Sequence, residues 1–176
     1  MEAPQLITRV LFLDVDGTVR HGRAELGRFV NSADDVVVFD EAVLRMREWK
    51  HGGGRIVGVS NQGGIALGYL SEDDCRAAMA RTQDLTGGLF DVLLWCAHHP
   101  AAPDPQMSLC FGRKPAPGLL FEGVWELGGV YPGECYPPNA ALMVGDQPED
   151  EECARRAGVK FMRADQWRAG ANEGNG

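Results

Sequence analysis

The feature that most constrains this chain is an apolar, β-branched run that ends in two carboxylates one residue apart. The stretch VLFLDVDGT, residues 10–18, predicts a short buried strand that leads into Asp14 and Asp16. Gly17 then allows the chain to turn sharply away from the strand. In open α/β sheets, ligands bind beyond the carboxyl ends of the strands. The stretch therefore predicts a binding site at a sheet edge, if the rest of the chain builds such a sheet.

The rest of the chain alternates between short apolar runs and helical patterns. Strands are predicted over residues 9–15, 55–61, 91–96, 140–146 and 159–164. Helices are predicted over residues 40–53, 71–88, 117–129 and 148–158, with Asp40 and Ser71 as N-caps. This alternation indicates an α/β fold with a parallel sheet and helices on both faces. The irregular stretch 21–36 is too long for a simple turn and is expected to form a flap over the site.

Size and composition indicate one domain and argue against several classes of protein. The 176 residues, 44% of them hydrophobic, suffice for one core, predicted over residues 1–168 with a disordered tail at 169–176. A net charge of −8 weighs against a dedicated nucleic-acid binder. Without a signal peptide or a run of about 20 apolar residues, the chain is expected to be cytoplasmic, without membrane contact, and monomeric. Five cysteines in such a chain argue against a disulfide framework.

Polar residues directly follow three of the predicted strands. Asp14 follows the apolar run of the first, Ser60 and Asn61 end the second, and Asp146 follows the apolar run of the fourth. Because the carboxyl ends of parallel strands meet at one edge of a sheet, we expect these side chains to converge. Each of them alone could be an ordinary turn residue or helix cap. Three at one edge favour a functional site.

Two neighbouring acids suit the hydrolysis of a phosphate ester. A carboxylate nucleophile and a phosphate repel each other, and a Mg²⁺ ion held by oxygen ligands offsets that repulsion. Asp14 is predicted to attack phosphorus and form an aspartyl-phosphate. Asp16 is predicted to protonate the leaving oxygen and later to deprotonate the hydrolytic water. Asp14, Asp16 and Asp146 are the predicted magnesium ligands.

The remaining candidates are groups that could bind phosphate or support the metal. Backbone and side-chain donors for phosphate oxygens are predicted at Gly17, Thr18, Ser60 and Asn61. Lys114 is expected to bring a compact cation to the phosphoryl oxygens, and Arg113 to hold another group of the substrate. Asp150 would orient a metal ligand or Lys114 from behind; for this residue the alternative of an ordinary acid at a helix N-terminus stays open.

With these residues in place, the chain resembles the haloacid dehalogenase (HAD) superfamily of phosphohydrolases. Its four motifs occur in order as DVDGT, the Ser60 of VGVSNQ, the Lys114 of RKP, and GDQPED. The resemblance implies a Rossmann-like sheet and Mg²⁺, with Asp14 as nucleophile and Asp16 as acid/base. The stretches SNQGGIALGYLSEDD, CAHHP and CFGRKPAPGLL are further similar to the subfamily of heptose bisphosphate and histidinol phosphatases. Those enzymes have no large cap domain.

That subfamily often holds zinc in the loop before the lysine motif, through Cys-x-His and then Cys-x-Cys. Three soft ligands are present in this chain: Cys96, His98 and Cys110. The fourth position is Gly112, which argues against a closed tetrahedral zinc site. Two alternatives stay open, a substitute ligand such as His99 or Asp104, and a loop without metal.

The function that we predict is Mg²⁺-dependent hydrolysis of a small phosphorylated metabolite, a heptose-type sugar phosphate or bisphosphate, through an aspartyl-phosphate. Histidinol phosphate is one alternative substrate. A polynucleotide 3′-phosphate is another, because SNQGGIALG also resembles the phosphatase half of polynucleotide kinase-phosphatases. A catalytically idle phosphate-binding module is the non-enzymatic alternative. The intact set of Asp14, Asp16, Lys114 and Asp146 favours the enzyme.

Overall fold

The computed structural model describes residues 6–23 and 29–171. The strands are β1 (Leu6–Ile7), β2 (Val10–Asp14), β3 (Arg20–Gly22), β4 (Val36–Val38), β5 (Arg55–Asn61), β6 (Val92–Cys96), β7 (Glu134–Cys135), β8 (Ala141–Gly145) and β9 (Lys160–Arg163). The helices are α1 (Asp40–His51), α2 (Glu72–Leu85), α3 (Gly118–Val130), α4 (Pro148–Ala157) and α5 (Ala164–Arg168). None of the helices within these two described ranges has the length and apolarity to cross a membrane.

Five strands form one parallel sheet in the order β6-β5-β2-β8-β9. The central strand β2 pairs with β5 from Val10 opposite Arg55 to Asp14 opposite Val59, and with β8 on its other side. The carboxyl ends of β2, β5 and β8 therefore lie side by side. The predicted parallel sheet is confirmed. The residues that follow these three strands lie together at the carboxyl edge of the sheet.

Helices cover both faces of the sheet, as predicted, because the side chains of β2 alternate between two apolar cores. Val10 and Phe12 belong to the core shared with α3 and α4. Leu11 and Leu13 point into the other core, which α1 and α5 cover, with Trp167 as the largest α5 side chain there. All five residues of β2 are buried, so the groups that can contact solvent or a ligand lie just beyond the end of the strand.

Two helix starts test the predicted caps. The Ser71 hydroxyl accepts a hydrogen bond from the Asp74 N–H, so Ser71 is the N-cap of α2 as predicted. The prediction for Asp40 was wrong by one residue. Phe39 is the N-cap of α1 and Asp40 is its first helical residue. The Phe39 N–H donates to the carbonyl of Val19, which ties the residue before the helix to the segment that follows β2.

The two ends of the predicted flap belong to a small antiparallel hairpin. Strands β3 and β4 pair from Arg20 opposite Val38 to Gly22 opposite Val36. Val36 packs with Val30 against Ala78, and this contact anchors the hairpin on α2. The part of the predicted flap at 24–28 lies outside the described residues.

The tail predicted to be disordered from residue 169 begins as an ordered turn. The backbone N–H groups of Ala169, Gly170 and Ala171 bond carbonyls of α5. These hydrogen bonds extend the ordered backbone to residue 171, and the disordered tail stays a prediction. Residues 172–176 lie outside the described part of the chain.

Candidate active site

The carboxyl edge of the sheet opens into a cavity of about 530 Å³ that all four motifs line. Its lining residues are Asp14, Asp16, Gly17, His21, Phe29, Ser60, Asn61, Arg113, Lys114, Asp146, Gln147, Glu149 and Asp150. Of the residues predicted to contact substrate phosphate, Thr18 lies outside this lining. It is fully buried, and its hydroxyl donates to Oδ2 of Asp14 at 3.2 Å. Thr18 therefore supports Asp14 from behind.

Asp14 is a buried carboxylate whose charge depends on its neighbours. It is 6% exposed, and its Oδ1 lies 2.5 Å from Nζ of Lys114. Burial raises the pKa of Asp14 to about 7; the Lys114 ammonium opposes this rise, and the negative charge of Asp150 adds to it. A further positive charge at this edge would keep Asp14 ionised at neutral pH.

Lys114 is a buried cation that neutralises two carboxylates. Its ammonium donates to Asp14, to Oδ1 of Asp150 at 2.7 Å and to the carbonyl of Val59 at 3.1 Å. Burial alone would lower the pKa of Lys114, but the charges of Asp14 and Asp150 outweigh it and raise that pKa. All three ammonium protons are thus engaged within the protein. The predicted contact with phosphoryl oxygens would require one of them to change partner.

Two residues hold Lys114 in place, and the sequence suggested such a role for one of them. The Asn61 side-chain amide donates to the Lys114 carbonyl at 3.0 Å and accepts from the Lys114 N–H at 2.9 Å. In this arrangement the Asn61 amide positions Lys114 and is occupied, although phosphate contact had been predicted for it. Asp150 accepts from Lys114 and from the N–H of Gln147, the N-cap of α4. Asp150 therefore both orients Lys114 and caps the first turn of α4.

A group of three carboxylates has the geometry to hold a cation. Oxygens of Asp14, Asp146 and Asp150 all lie within 4.8 Å of one another. Oδ1 of Asp146 is shielded from solvent and has no hydrogen-bond partner among the described residues, which is costly unless an ion binds there. Both oxygens of Asp14 and of Asp150 already accept hydrogen bonds within the protein, so Oδ1 of Asp146 is the oxygen of this group that most needs a ligand. Hard oxygen donors of this kind fit Mg²⁺.

Glycine is required at position 17 beside this group. Its φ of +89° lies in the left-handed region, and a Cβ there would overlap the carboxylate of Asp146. The turn at Gly17 thus lets the loop after β2 approach Asp146 closely.

The Asp16 carboxylate lies apart from the three-carboxylate group. It accepts hydrogen bonds from Arg20, Ser60 and Gln62, and it is 38% exposed at the cavity. The structure does not bring this side chain to the Asp14–Asp146 pair, so its predicted use as a metal ligand lacks support from the geometry. The sequence could have revealed Gln62, which follows Ser60 and Asn61, but no pattern pointed to the buried Arg20.

A second cavity of about 380 Å³ adjoins the first and is lined largely by apolar groups. Arg113 and Phe29 line both cavities. One guanidinium nitrogen of Arg113 donates to the His98 carbonyl at 2.9 Å, which fixes the side chain between the two spaces. Exposed Tyr69 and half-buried His99 line the second cavity only. This space can receive the part of a substrate beyond its reacting phosphate.

The loop predicted for zinc brings three soft ligands together without a fourth. The ligand atoms of Cys96, His98 and Cys110 lie within 4.8 Å of one another. Neither predicted substitute joins them: Nδ1 of His99 accepts from the Ala101 N–H, and Asp104 caps a short 3₁₀ helix. Burial raises the pKa of the Cys96 thiol to about 11, which favours the protonated thiol without metal. The donors suit zinc, and the set is incomplete for a closed site.

The sequence is similar to curated phosphatases over most of its length. A D-glycero-D-manno-heptose-1,7-bisphosphate 7-phosphatase from Chlorobaculum tepidum is 31% identical over 169 residues, which cover 94% of this chain and 81% of the relative. The corresponding enzyme from Pasteurella multocida is 32% identical over 158 residues, covering 86% of this chain and 78% of the relative. No profile of a protein family matches the chain.

Solved structures agree with these relatives. A HAD-like phosphatase from Mesorhizobium loti superposes with a TM-score of 0.73 at 28% identity, over 90% of this chain and 73% of that one. The heptose bisphosphate phosphatase from B. bronchiseptica, solved with magnesium and phosphate, gives a TM-score of 0.71 over 96% and 90% of the two chains; at 22% identity it supports the fold. The predicted resemblance is thereby confirmed. The chain is a HAD-like phosphatase and belongs to the family of D-glycero-D-manno-heptose-1,7-bisphosphate 7-phosphatases.

Proposed function

We propose that this phosphatase removes a phosphate from a heptose bisphosphate through a covalent intermediate on Asp14. The proposal rests on the buried Asp14–Lys114 pair beside Oδ1 of Asp146, an atom without a hydrogen-bond partner among the described residues. This arrangement offers a nucleophile, a fixed positive charge and a place for a cation within one cavity. The substrate is inferred from the curated relatives, whose names give the heptose 1,7-bisphosphate as substrate and position 7 as the phosphate removed.

In the proposed first step, a carboxylate oxygen of Asp14 attacks phosphorus, and the bond from phosphorus to the sugar oxygen breaks. Asp16 enters this step protonated, which requires one of the donors at its Oδ2 to move away, and it gives the proton to that oxygen as the sugar leaves. In the second step, a water molecule attacks the aspartyl-phosphate and Asp16 takes its proton. Asp14 is restored as a carboxylate and inorganic phosphate departs.

The proposed cofactor is Mg²⁺, with Asp14 and Asp146 as its side-chain ligands. When bound, Mg²⁺ would offset the repulsion between carboxylate and phosphate and stabilise the charge of the transferring group. Lys114 supplies a fixed positive charge on the other side of Asp14. Ser60 and the backbone of the Gly17 turn remain the proposed donors for phosphate oxygens, because both line the cavity. As with Lys114, this contact requires a change of partner, since the Ser60 hydroxyl donates to Asp16 and the Gly17 N–H to the carbonyl of Arg20.

Zinc in the cysteine loop is proposed to be weakly held. Three protein ligands leave a fourth position for water, because Gly112 has no side chain to offer. The loop is then chiefly a wall of the site: Arg113 is bonded to the carbonyl of His98 within it.

For the rest of the substrate, Arg113 is the proposed contact for the second phosphate, since it lines both cavities. We propose a monomer as the working unit, because the four motifs of a single chain suffice to line the cavity. Histidinol phosphate or a polynucleotide 3′-phosphate would place a group other than a sugar phosphate in the second cavity.

A panel assay tests the proposal. Phosphate release would be measured with the heptose 1,7-bisphosphate, a hexose monophosphate, histidinol phosphate and a 3′-phosphorylated oligonucleotide, each with Mg²⁺ and with a chelator. The proposal expects the highest kcat/KM for the bisphosphate and loss of turnover on chelation. A higher kcat/KM for another substrate would replace the heptose, and no turnover of any ester would favour the idle binding module.

A further inference from the structure

Arg20 is a buried arginine that belongs to none of the four motifs. It connects Asp16, at the active-site cavity, to helix α2. It is 1% exposed. On one side, its Nε donates to Oδ1 of Asp16 at 2.8 Å and one terminal nitrogen donates to Oδ2 at 3.3 Å. On the other side, the second terminal nitrogen donates to the Ala78 carbonyl at 3.1 Å and to the Thr82 hydroxyl at 2.8 Å. A buried charge is stable only when it is paired and hydrogen-bonded in this way.

The contacts of Asp16 are unevenly shared between its two oxygens. Ser60 and Gln62 both donate to Oδ2, at 3.0 and 2.6 Å. Among the described residues, the hydrogen bond to Oδ1 comes from Nε of Arg20. Without that bond, the carboxylate would be held at one oxygen and could rotate about its Cβ–Cγ bond. The two-point contact with Arg20 therefore sets the plane of the carboxylate that faces the cavity.

Helix α2 in turn fixes the far end of Arg20. Thr82 is fully buried, and its hydroxyl donates to the Ala78 carbonyl at 2.8 Å. The hydroxyl oxygen keeps a lone pair that accepts from Arg20. Neither Thr82 nor Ala78 lines the catalytic cavity. The chain of contacts thus runs from the interior of α2 through Arg20 to Asp16.

We infer that Arg20, anchored by Thr82, is a positioning residue that orients Asp16 for proton transfer. The inference rests on the proposed acid/base role of Asp16. Orientation matters most when the leaving oxygen needs a proton, as an alkyl or sugar oxygen does. It matters little when the leaving group is a phenolate that departs unprotonated. Loosening the anchor should therefore slow the first step for sugar phosphates selectively.

The test compares Thr82→Val with the matched control Thr82→Ser. Valine has nearly the shape of threonine but removes the acceptor for Arg20, whereas serine keeps it. The readout is kcat/KM, which reports the first step, for a sugar phosphate and for p-nitrophenyl phosphate. We expect Thr82→Val to lower kcat/KM for the sugar phosphate ~10-fold and kcat/KM for p-nitrophenyl phosphate less than ~2-fold. The larger effect is part of the ~10²–10⁴-fold that general acid catalysis typically contributes. Thr82→Ser should match the wild type on both.

A second background separates positioning from a general structural effect. In Asp16→Asn, the added Thr82→Val change should leave the remaining activity on the sugar phosphate unaltered, because the group being positioned is gone. Equal losses on both substrates, no loss on the sugar phosphate, or a loss that persists in Asp16→Asn would overturn the inference. If Asp16→Asn keeps full activity on the sugar phosphate, both the proposed acid/base role and the inference about Arg20 are overturned. If Asp16→Asn is impaired but Thr82→Val is unaffected, only the inference about Arg20 is overturned.

Discussion

Replacing Asp14 by asparagine should make the metal-free protein more stable at neutral and alkaline pH. Asp14 is 6% exposed, and burial raises its pKa from 3.8 to about 7. Its charged form is therefore less favourable in the folded chain than in the unfolded one. Asparagine keeps the shape of the neutral acid, can accept from Lys114 and can donate to the Thr18 hydroxyl. The variant should lose turnover together with its nucleophile.

The magnitude follows from the shift in pKa. A folded pKa above the unfolded one means that the folded state holds its proton longer, so stability falls as pH rises from about 4 and levels off above about 7. Relative to Asp14→Asn, the wild type should be less stable by about 4 kcal/mol at pH 8 and by about 2 kcal/mol at pH 5. The difference should be smaller still near pH 4.

Urea unfolding in a chelator measures this difference at pH 5 and pH 8 for both proteins. Added Mg²⁺ should narrow the gap at pH 8, because an ion that binds the folded wild type stabilises it and Asp14→Asn offers a weaker site. A variant no more stable than the wild type at pH 8, or a difference that does not grow between pH 5 and pH 8, would refute the reasoning.

Three further predictions concern the cations of the site. Lys114→Met should lower kcat/KM about 100-fold, because a buried methionine fills the space without the charge; an unchanged kcat/KM would place Lys114 outside the reaction. Asp146→Asn should raise the Mg²⁺ concentration for half-maximal activity about 10-fold or more, since it weakens one of two proposed ligands; titration of activity with Mg²⁺ measures this, and an unaltered midpoint would exclude Asp146 as a ligand. Protein purified without added metal should contain substoichiometric zinc by elemental analysis, and its activity should follow Mg²⁺. Gly112→Cys should raise the zinc content toward one per chain. One tightly held zinc per wild-type chain, with unfolding on chelation, would contradict this.

The sequence allowed the fold and the placement of the motifs to be predicted because both depend on local patterns. Apolar runs that end in Asp14, in Asn61 and before Asp146 predicted strands whose carboxyl ends meet, and β2, β5 and β8 are adjacent. Helix boundaries were within a few residues for the same reason. Ser71 could be identified as a cap because an N-cap hydroxyl acts on a residue only three positions away.

The partners of polar side chains could not be predicted, because they come from distant parts of the chain. Asn61 binds the backbone of Lys114, 53 residues away, and Arg20 reaches Thr82, 62 residues away. Arginine at the start of a hairpin strand reads as an exposed residue, and no periodicity marks it as buried. The free lone pair of Asp146 also became visible only once the packing of its neighbours was known.

Chemical trapping would show directly whether Asp14 carries the phosphoryl group. The enzyme would be mixed with substrate and Mg²⁺, quenched within the first turnovers and reduced with borohydride, which converts an aspartyl-phosphate to homoserine. Peptide mass spectrometry then locates the modified residue. We expect homoserine at position 14, absent without substrate and absent in Asp14→Asn. Modification at another residue, or steady phosphate release from Asp14→Asn, would contradict it.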